Sequence, residues 1–367
     1  LGVKMPAGLL LYGDPGVGKT TMAKSLIEAS GRKAFICRKN KPDGEFVTEI
    51  VELFADAVQN APSIVLLDDL DKFANGNGKN RDEEEYVTVQ SCIDEVKGAD
   101  VFVIATANYI DNLPGSLRRA GRLDKTICVS GPREQEAEEI IRYYLSQKSY
   151  IDEIDAKEIA KMLNGRSCAV LESVINEAGI YAGFDDRDKI CMNDILKAVL
   201  RIVYDAPECK EPLNTHIEKI VACHEAGHAI VSEILSPGSV GLVTVKKNTG
   251  KTGGFTTNCN PEDFWFSKKE MENRVISVLA GKAASELMFG VADVGCNSDL
   301  HRAFDLVERF IDNYCAYGFD TWAQSSSKSD ALMARRESFM SAEMNRYLEE
   351  ARRLIMDNWD YLNRVMN

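Results

Sequence analysis

The first third of the chain alternates short apolar runs with segments whose apolar residues recur at helical spacing. Four of the runs, GLLLYG, SIVLLDD, VFVIATA and KTICVSG, are continuous and are separated by helical patterns. Runs of this length are typical of parallel strands that are buried on both faces of a sheet. Residues 1–132 are therefore predicted to form an α/β module, with a parallel sheet and helices on both of its faces.

The strand signal disappears over residues 133–205, where the apolar spacing predicts helices, as in EAEEIIRYYL and MNDILKAVLRIV. Two prolines and mixed charge in residues 206–212 predict a linker. Residues 213–367 are again predicted to be mostly helical, apart from a glycine-rich, strand-like insert, VGLVTVKKNTGKTGGFTTN. The chain is thus expected to consist of an α/β subdomain, a helical subdomain, a linker and a second, mostly α domain.

Composition narrows the class of protein. The formal net charge of −13 argues against a nucleic-acid partner, because no broad basic surface is implied. No apolar run approaches the roughly 18 residues that identify a membrane-spanning helix, and no signal peptide is evident. Ten cysteines without a CxxC pair favour reduced thiols over a disulfide framework. We therefore expect a cytoplasmic chain that carries no membrane anchor of its own.

A phosphate-binding loop is predicted where GDPGVGKTT (13–21) follows the first apolar run and precedes a helical pattern. Glycines allow backbone N–H groups to surround phosphate oxygens without Cβ clashes, and the helix N-terminus adds partial positive charge. In such a loop Lys19 reaches the β and γ phosphates and Thr20 binds Mg²⁺. The residues predicted to bind ATP and Mg²⁺ here are Gly13, Asp14, Pro15, Gly16, Val17, Gly18, Lys19, Thr20 and Thr21.

Polar side chains that follow two further strands extend this predicted site. SIVLLDDLD ends a buried strand in carboxylates, which directs Asp68 toward the magnesium ion and Asp69 toward the attacking water. The alternative is a strand that runs into an acidic turn. Asn108 follows VFVIATA, where strand ends face a nucleotide. Arg119 and Arg122 in LRRAGRLD are either solvated or, in an oligomeric ATPase, stabilise the transition state in a neighbouring subunit.

HEAGH (224–228) places two of the chain's four histidines one helical turn apart. Residues i and i+4 share one helix face, so His224 and His228 can bind one metal ion, and Glu225 can polarise a metal-bound water. A pair of hydrogen-bonded core histidines is the alternative, because HExxH also occurs by chance. A third ligand would favour the zinc site.

In combination these segments resemble the FtsH family of ATP-dependent zinc metalloproteases. The order of P-loop, acidic strand, Asn-tipped strand and RAGRLD resembles the family's AAA-type ATPase module, and NGRSCAVLESVINEA resembles its helical lid. VGCNSDLHRAFDLVERF resembles the segment whose aspartate completes the zinc site, so the resemblance implies Asp299 as the third ligand. It also implies Zn²⁺, ATP and Mg²⁺ as cofactors. The alternative for Asp299 is a carboxylate that stabilises the first turn of a helix.

The resemblance further implies an endopeptidase in which ATP hydrolysis unfolds protein substrates, either unfolded or tagged, and translocates them into a proteolytic chamber. A homo-hexamer is expected, because Arg119 and Arg122 would act between subunits. Residues 253–256 in KTGGFTT resemble an edge strand that pairs with the substrate backbone, and VISVLAGKAASELMFG resembles a helix whose small residues pack behind the zinc helix. The rival expectation is an ATP-driven remodelling factor with an inactive peptidase domain.

Some positions depart from the family pattern. Asp69 stands where the family normally has glutamate, and its shorter side chain reaches less far toward the attacking water, which would suit a slow ATPase or a nucleotide-binding scaffold. The pore-loop aromatic position falls near Pro42, and Phe46, the nearest aromatic residue, is either a candidate for that role or a core residue. The chain begins shortly before the P-loop, so we expect a fragment that lacks the family's first strand and adenine-contacting segment. A missing N-terminal anchor would make the protein membrane-associated.

Overall fold

The structure is a computed structural model. The residues that it describes are 6–39, 45–74, 83–150, 153–205, 215–245, 254–258, 267–290, 295–314 and 329–366. The chain divides into two compact units, and each has its own hydrophobic core. The first unit comprises Leu1–Pro132 and Arg166–Glu172, and the second comprises Arg133–Gly165 and Ser173–Asn367.

The first unit contains a five-stranded, fully parallel sheet in the order β2-β3-β4-β1-β5. Its strands are β1 (Gly8–Tyr12), β2 (Lys33–Cys37), β3 (Ser63–Leu67), β4 (Val101–Ala107) and β5 (Lys125–Cys128). Its helices are α1 (Lys19–Ser30), α2 (Phe46–Gln59) and α3 (Glu83–Glu95). The predicted α/β class is confirmed, and β2 is the strand that the apolar pattern did not predict.

Alternation along the buried strands distributes their side chains between two cores. Val65 and Leu67 of β3 pack with residues of α2 and α3, such as Phe54 and Ile93. Ile64 and Leu66 of the same strand pack on the other face of the sheet, against Ala23 of α1. Helices therefore cover both faces of the sheet, as predicted. Because the strands are parallel, their carboxyl ends meet at one edge, and this edge carries the residues that were predicted to bind the nucleotide.

The second unit is mostly helical, as predicted. Its helices are α4 (Glu134–Ser146), α5 (Ala156–Met162), most of α6 (Cys168–Phe184), α7 (Met192–Tyr204), α8 (Thr215–Leu235), α9 (Lys268–Phe289), α10 (Cys296–Asp312), α11 (Asp330–Asp357) and α12 (Trp359–Met366). The strand-like insert forms an antiparallel pair of strands, β6 (Val240–Thr244) and β7 (Phe255–Asn258). The predicted linker, 206–212, lies outside the described residues, and the domain boundaries stay predictions.

Within the described ranges, no helix combines the length and the apolar composition that crossing a membrane requires.

Helices α8 and α9 pack closely at the centre of the second unit. A Cβ added at Gly227 of α8 would lie 2.7 Å from both the carbonyl oxygen of Ala280 and the Cβ of Ala284 in α9. Ala280, Gly281, Ala283 and Ala284 are all buried. The small residues of α9 therefore do permit the close approach that the sequence predicted.

We expect Gly227→Ala to lower the free energy of unfolding of the second unit by about 1–3 kcal/mol, because the added methyl group must push α8 and α9 apart. Gly183→Ala is the matched control, since Gly183 lies in α6 and a Cβ there meets no atom within 4 Å. That substitution should stabilise the unit by about 0.4–1 kcal/mol. Denaturant unfolding followed by circular dichroism measures both, and equal stabilities would contradict the packing described.

Candidate nucleotide and metal sites

The predicted phosphate loop connects β1 to α1. Gly13 has a φ of 146°, and a Cβ there would lie 2.1 Å from the carbonyl oxygen of Val129, so the turn requires glycine. Val17 is buried and anchors the loop in the core. The exposed loop residues are Asp14, Pro15, Gly16 and Thr21. Gly18 has a φ of 97° and precedes the first turn of α1. The loop is thus held in place by Gly13 and Val17, while the residues between them are exposed to solvent.

Lys19 is buried within this loop. Its Nζ donates hydrogen bonds to the carbonyl oxygens of Gly13 and Asp14 and to Oδ1 of Asn108, each at 2.8 Å. Burial lowers the pKa of Lys19, and the negative charge of Asp69 partly offsets this effect. The three acceptors are neutral, and a charged phosphate oxygen forms stronger hydrogen bonds with an ammonium group. Lys19 can therefore exchange these partners for a phosphate.

The predicted magnesium residues are in direct contact. Oδ1 of Asp68, which follows β3, accepts hydrogen bonds from Oγ1 of Thr20 and Oγ1 of Thr106, both at 2.8 Å. The backbone N–H of Asp69 donates to the same Thr106 hydroxyl at 2.9 Å. Sequence reasoning missed Thr106, although a hydroxyl inside the apolar run VFVIATA was a usable signal. Thr106 is fully buried and holds the two acidic residues in register.

Two cations bind the carboxylate of Asp69. Oδ2 of Asp69 lies 2.7 Å from Nζ of Lys72 and 3.2 Å from Nη2 of Arg38. Burial alone would raise the pKa of Asp69, but the hydrogen bonds and charges of Lys72 and Arg38 outweigh it, and the pKa is lowered. Asp69 is therefore an ionised acceptor at this site. Neither cation was predicted to contact it, although Lys72 is only three residues away, whereas Arg38 follows a different strand.

The two predicted inter-subunit arginines differ in their surroundings. Arg122 forms a bidentate ion pair with Asp94, with Nε–Oδ1 at 2.9 Å and Nη2–Oδ2 at 2.6 Å. Its Nη1 also donates to the carbonyl oxygen of Ser116 at 2.7 Å. The hydrogen bonds from Arg122 lower the pKa of Asp94 well below its usual range. Arg119 is exposed. The inter-subunit role of both arginines stays a prediction, and for Arg122 it requires the Asp94 pair to open.

The second unit brings the three predicted metal ligands together. Asp299 lies in the first turn of α10. Its Oδ2 atom is 3.0 Å from Nε2 of His224 and 3.1 Å from Nε2 of His228. The two Nε2 atoms are 3.1 Å apart. Ligands at about 2.0–2.1 Å from a tetrahedral zinc ion are about 3.3 Å from one another. Among the described residues this is the one cluster of potential metal ligands. The exposed His216 and His301 are not part of it.

Two residues of helix α9, Ser277 and Gly281, favour metal binding by this cluster. Nδ1 of His228 donates to the carbonyl oxygen of Ser277 at 2.8 Å, which favours the tautomer whose Nε2 lone pair can bind zinc. Gly281, one turn further along α9, faces the same nitrogen atoms. A Cβ at Gly281 would lie 2.4 Å from Nε2 of His228 and 2.7 Å from Nε2 of His224. The residues present therefore fit a zinc ion. Sequence reasoning treated Gly281 only as a packing residue.

Glu225 lies beside the cluster, and its side chain is 7% exposed. Burial raises the pKa of Glu225, and the neighbouring His228 and a hydrogen bond from Thr256 partly offset this effect. Oγ1 of Thr256 donates to Oε2 of Glu225 at 2.7 Å. A buried carboxylate with a raised pKa is suited to accept a proton from water near neutral pH.

Two further sequence expectations concern substrate contacts. Residue 253 of the predicted edge strand lies outside the described residues, whereas 254–256 lead into and form part of β7. Pro42, near the expected pore-loop position, also lies outside them. Phe46 is 3% exposed and packs edge-to-face on Phe73, with ring centroids 5.1 Å apart. Phe46 is thus a core residue.

Two protein families match separate parts of the chain. Residues 9–130 match the ATPase family associated with various cellular activities (AAA), and residues 213–366 match peptidase family M41.

Curated relatives match the chain across both parts. The ATP-dependent zinc metalloprotease FtsH of Pseudothermotoga lettingae is 29% identical, with coverage of 100% of this chain and 61% of that protein. The ATP-dependent zinc metalloprotease FtsH 2 of Symbiobacterium thermophilum is 33% identical, with coverage of 99% and 65%. FtsH 2 of Petrotoga mobilis is 32% identical, with coverage of 85% and 51%. The chain thus spans between about half and two-thirds of the length of these relatives.

We expect Gly281→Ala to weaken Zn²⁺ binding by about 10–100-fold, the usual effect of disturbing groups that support metal ligands. The added methyl group would displace both imidazoles from the triangle with Asp299. Gly179→Ala in α6 is the control, because a Cβ there makes only an ordinary 3.7 Å contact with Ile190. Competition with a chromogenic chelator measures both affinities. An unchanged zinc affinity in Gly281→Ala would show that this glycine does not shape the site.

Proposed function

The chain belongs to the FtsH-like AAA zinc metalloproteases, and we propose that it is an ATP-dependent zinc metalloendopeptidase that unfolds, translocates and degrades protein substrates. Its cofactors are Zn²⁺, ATP and Mg²⁺. The observation that carries the proposal is the convergence of His224, His228 and Asp299 beside a buried Glu225. The same chain also has a phosphate loop with Lys19 at its centre.

In the proposed peptidase reaction, His224, His228 and Asp299 would hold the zinc ion. When bound, this ion supplies Lewis-acid chemistry, which makes water more acidic and the scissile carbonyl more electrophilic. Glu225 accepts the proton of the attacking water on its carboxylate and donates it to the leaving nitrogen. The hydrogen bond from His228 to Ser277 keeps the Nε2 atom of that imidazole available throughout.

In the proposed ATPase reaction, backbone N–H groups of the phosphate loop and Lys19 bind the phosphates. Thr20 and Asp68 would hold the magnesium ion, since their side chains already share a hydrogen bond. Asp69 orients the attacking water after it releases Lys72 or Arg38, which now bind its carboxylate. Hydrolysis would supply the conformational strokes that move a polypeptide.

We also propose a homo-hexameric assembly that acts on unfolded or tagged proteins. Membership of the family and the exposure of Arg119 support it, because an exposed arginine is available to a neighbouring subunit. The net charge of −13 supports the expectation of no nucleic-acid partner. The sequence has ten cysteines without a CxxC pair, which supports the expectation of reduced thiols in a cytoplasmic setting.

The rival function is an ATP-driven remodelling factor whose peptidase domain is inactive. An inactive domain needs neither a metal triangle nor a buried acid beside it. In this chain Asp299 contacts both imidazoles, and the buried Glu225 lies beside them, which supports an active peptidase.

We expect Glu225→Gln to reduce the degradation of fluorescein-labelled casein by roughly 10²–10⁴-fold, because an amide cannot accept the proton. Zinc content and ATP turnover should equal those of the unchanged protein, since the side chains at both cofactor sites are retained. Glu218→Gln on the same helix is the matched control and should cleave normally. If Glu225→Gln degraded casein at the original rate, another residue would be the base.

We expect Asp69→Asn to reduce ATP turnover by roughly 10²-fold or more, with nucleotide binding retained through Lys19. Lys19→Ala should lose nucleotide binding itself. Asp69→Glu separates an active ATPase from a nucleotide-binding scaffold, and an active site predicts a gain below about tenfold. Phosphate release and binding of a fluorescent ATP analogue measure both properties. A much larger gain in Asp69→Glu would mean that the native aspartate impairs hydrolysis.

A further inference from the structure

The hydroxyl group of Thr256 connects the hairpin to the proposed proton acceptor. Oγ1 of Thr256 lies 2.7 Å from Oε2 of Glu225 and 3.1 Å from the main-chain carbonyl oxygen of the same residue. A threonine hydroxyl has one proton to donate. The Oε2 atom of Glu225 is the nearer oxygen and, as part of a carboxylate, the stronger acceptor, so it receives that proton. The side-chain orientation of Glu225 is therefore defined by a residue on a different element.

The segment that leads into β7 approaches helix α8 at a second point. A Cβ added at Gly254, the residue before β7, would lie 2.8 Å from Cγ1 of Val221. Val221 and Glu225 are one helical turn apart and share a face of α8. The hairpin therefore lies close to the helix turn that contains the proposed proton acceptor.

The same strand is placed to receive an extended peptide. β7 pairs antiparallel with β6, with Thr256 opposite Val243, and the described residues of this sheet form two strands. A strand in a two-stranded sheet has one edge whose backbone groups can pair with another chain. A peptide that adds to β7 would lie on the strand that also holds the Glu225 carboxylate.

We propose that Thr256 is a positioning residue that aims the Glu225 carboxylate, so that one strand both receives the substrate backbone and orients the proton acceptor. This inference rests on the proposed peptidase function. Glutamate has three side-chain torsions, and a carboxylate at the end of them is poorly fixed without a donor. The hydroxyl of Thr256 supplies that donor from the element that the substrate itself would contact, so the two positions are set together.

The experiment compares Thr256→Val, which keeps the side-chain shape but removes the hydroxyl, with Thr256→Ser, which keeps the hydroxyl. In steady-state cleavage of a fluorogenic peptide, Thr256→Val should lower kcat by roughly 10–100-fold, because misplacement of a reacting group has effects of this size. KM should stay within about twofold of the original value, and Thr256→Ser should restore most of kcat. Zinc content should be the same in all three proteins.

Each other result has a defined meaning. An unchanged kcat in Thr256→Val, or a raised KM with an unchanged kcat, would overturn the proposal, because the hydroxyl would then only shape the hairpin. If Thr256→Val lost helical signal or zinc, Thr256→Ala would replace it, and failure of both to fold would also overturn the proposal. Thr88→Val, which removes a hydroxyl bonded to a backbone carbonyl in α3, should leave cleavage unchanged. If the unchanged protein cleaved no peptide, the proposed function itself would fail, which is distinct from a failure of Thr256 alone.

Discussion

The close approach of α8 to α9 is the constraint on which the metal site depends. Gly227 has no side chain, so the backbone of α9 comes near enough for the Ser277 carbonyl oxygen to accept a hydrogen bond from His228. One turn later, Gly281 leaves room for the nitrogen atoms of both imidazoles. Helix α10 must then supply the third group, and its buried Ala303 and Val307 hold it in the same core. The ligand geometry is therefore a consequence of helix packing.

The nucleotide site is organised by a different constraint, the register of a parallel sheet. Strands β1 and β3 flank β4, and β1 ends level with β4 whereas β3 ends two positions earlier, so Gly13 follows its strand beside Asn108 and Asp68 follows its strand beside Thr106. The hydroxyl of Thr106 donates a hydrogen bond to Asp68 and accepts one from the backbone N–H of Asp69, which links the residues that follow β3 to β4. The charged groups at this site already have partners, such as Lys72 on Asp69. When a nucleotide binds, these groups must give up their present partners, so the affinity for nucleotide depends on how much stronger the contacts with the nucleotide are than the contacts that they replace.

The spacing of apolar residues along the sequence reports which residues within one helix or strand are buried, and the correct predictions were of this kind. Four of the five strands and the mostly helical character of the second unit were predicted correctly, but β5, which was expected to be buried, is exposed at all four of its residues. β2 was missed because its four apolar residues, 34–37, lie between pairs of basic residues, and as an edge strand it leaves Ile36 52% exposed. Contacts between elements have no periodic signal, so the roles of Thr256, Arg38 and the space at Gly281 could not be located from the sequence alone.

The two roles that the sequence suggested for Asp299 are compatible with each other. Asp299 was predicted either as a first-turn carboxylate of a helix or as a metal ligand. It lies in the first turn of α10, where the helix dipole favours its charge, and its Oδ2 also faces both imidazoles. Phe46 illustrates the opposite case, because its aromatic ring could not be assigned to a pore loop or to a core until its contact with Phe73 was known.

The remaining alternative, a pair of satisfied core histidines, can be judged by counting protons. Oδ2 of Asp299 is ionised at neutral pH and can only accept, so the Nε2 atoms of His224 and His228, 3.0 and 3.1 Å away, would both have to donate to it. The two Nε2 atoms would then face each other as donors at 3.1 Å, which is unfavourable. His228, whose Nδ1 donates to Ser277, would also have to carry a proton on both ring nitrogens. No placement of protons satisfies all three contacts, whereas one divalent cation attracts all three atoms at once, and for this reason we favour the metal site over the histidine pair.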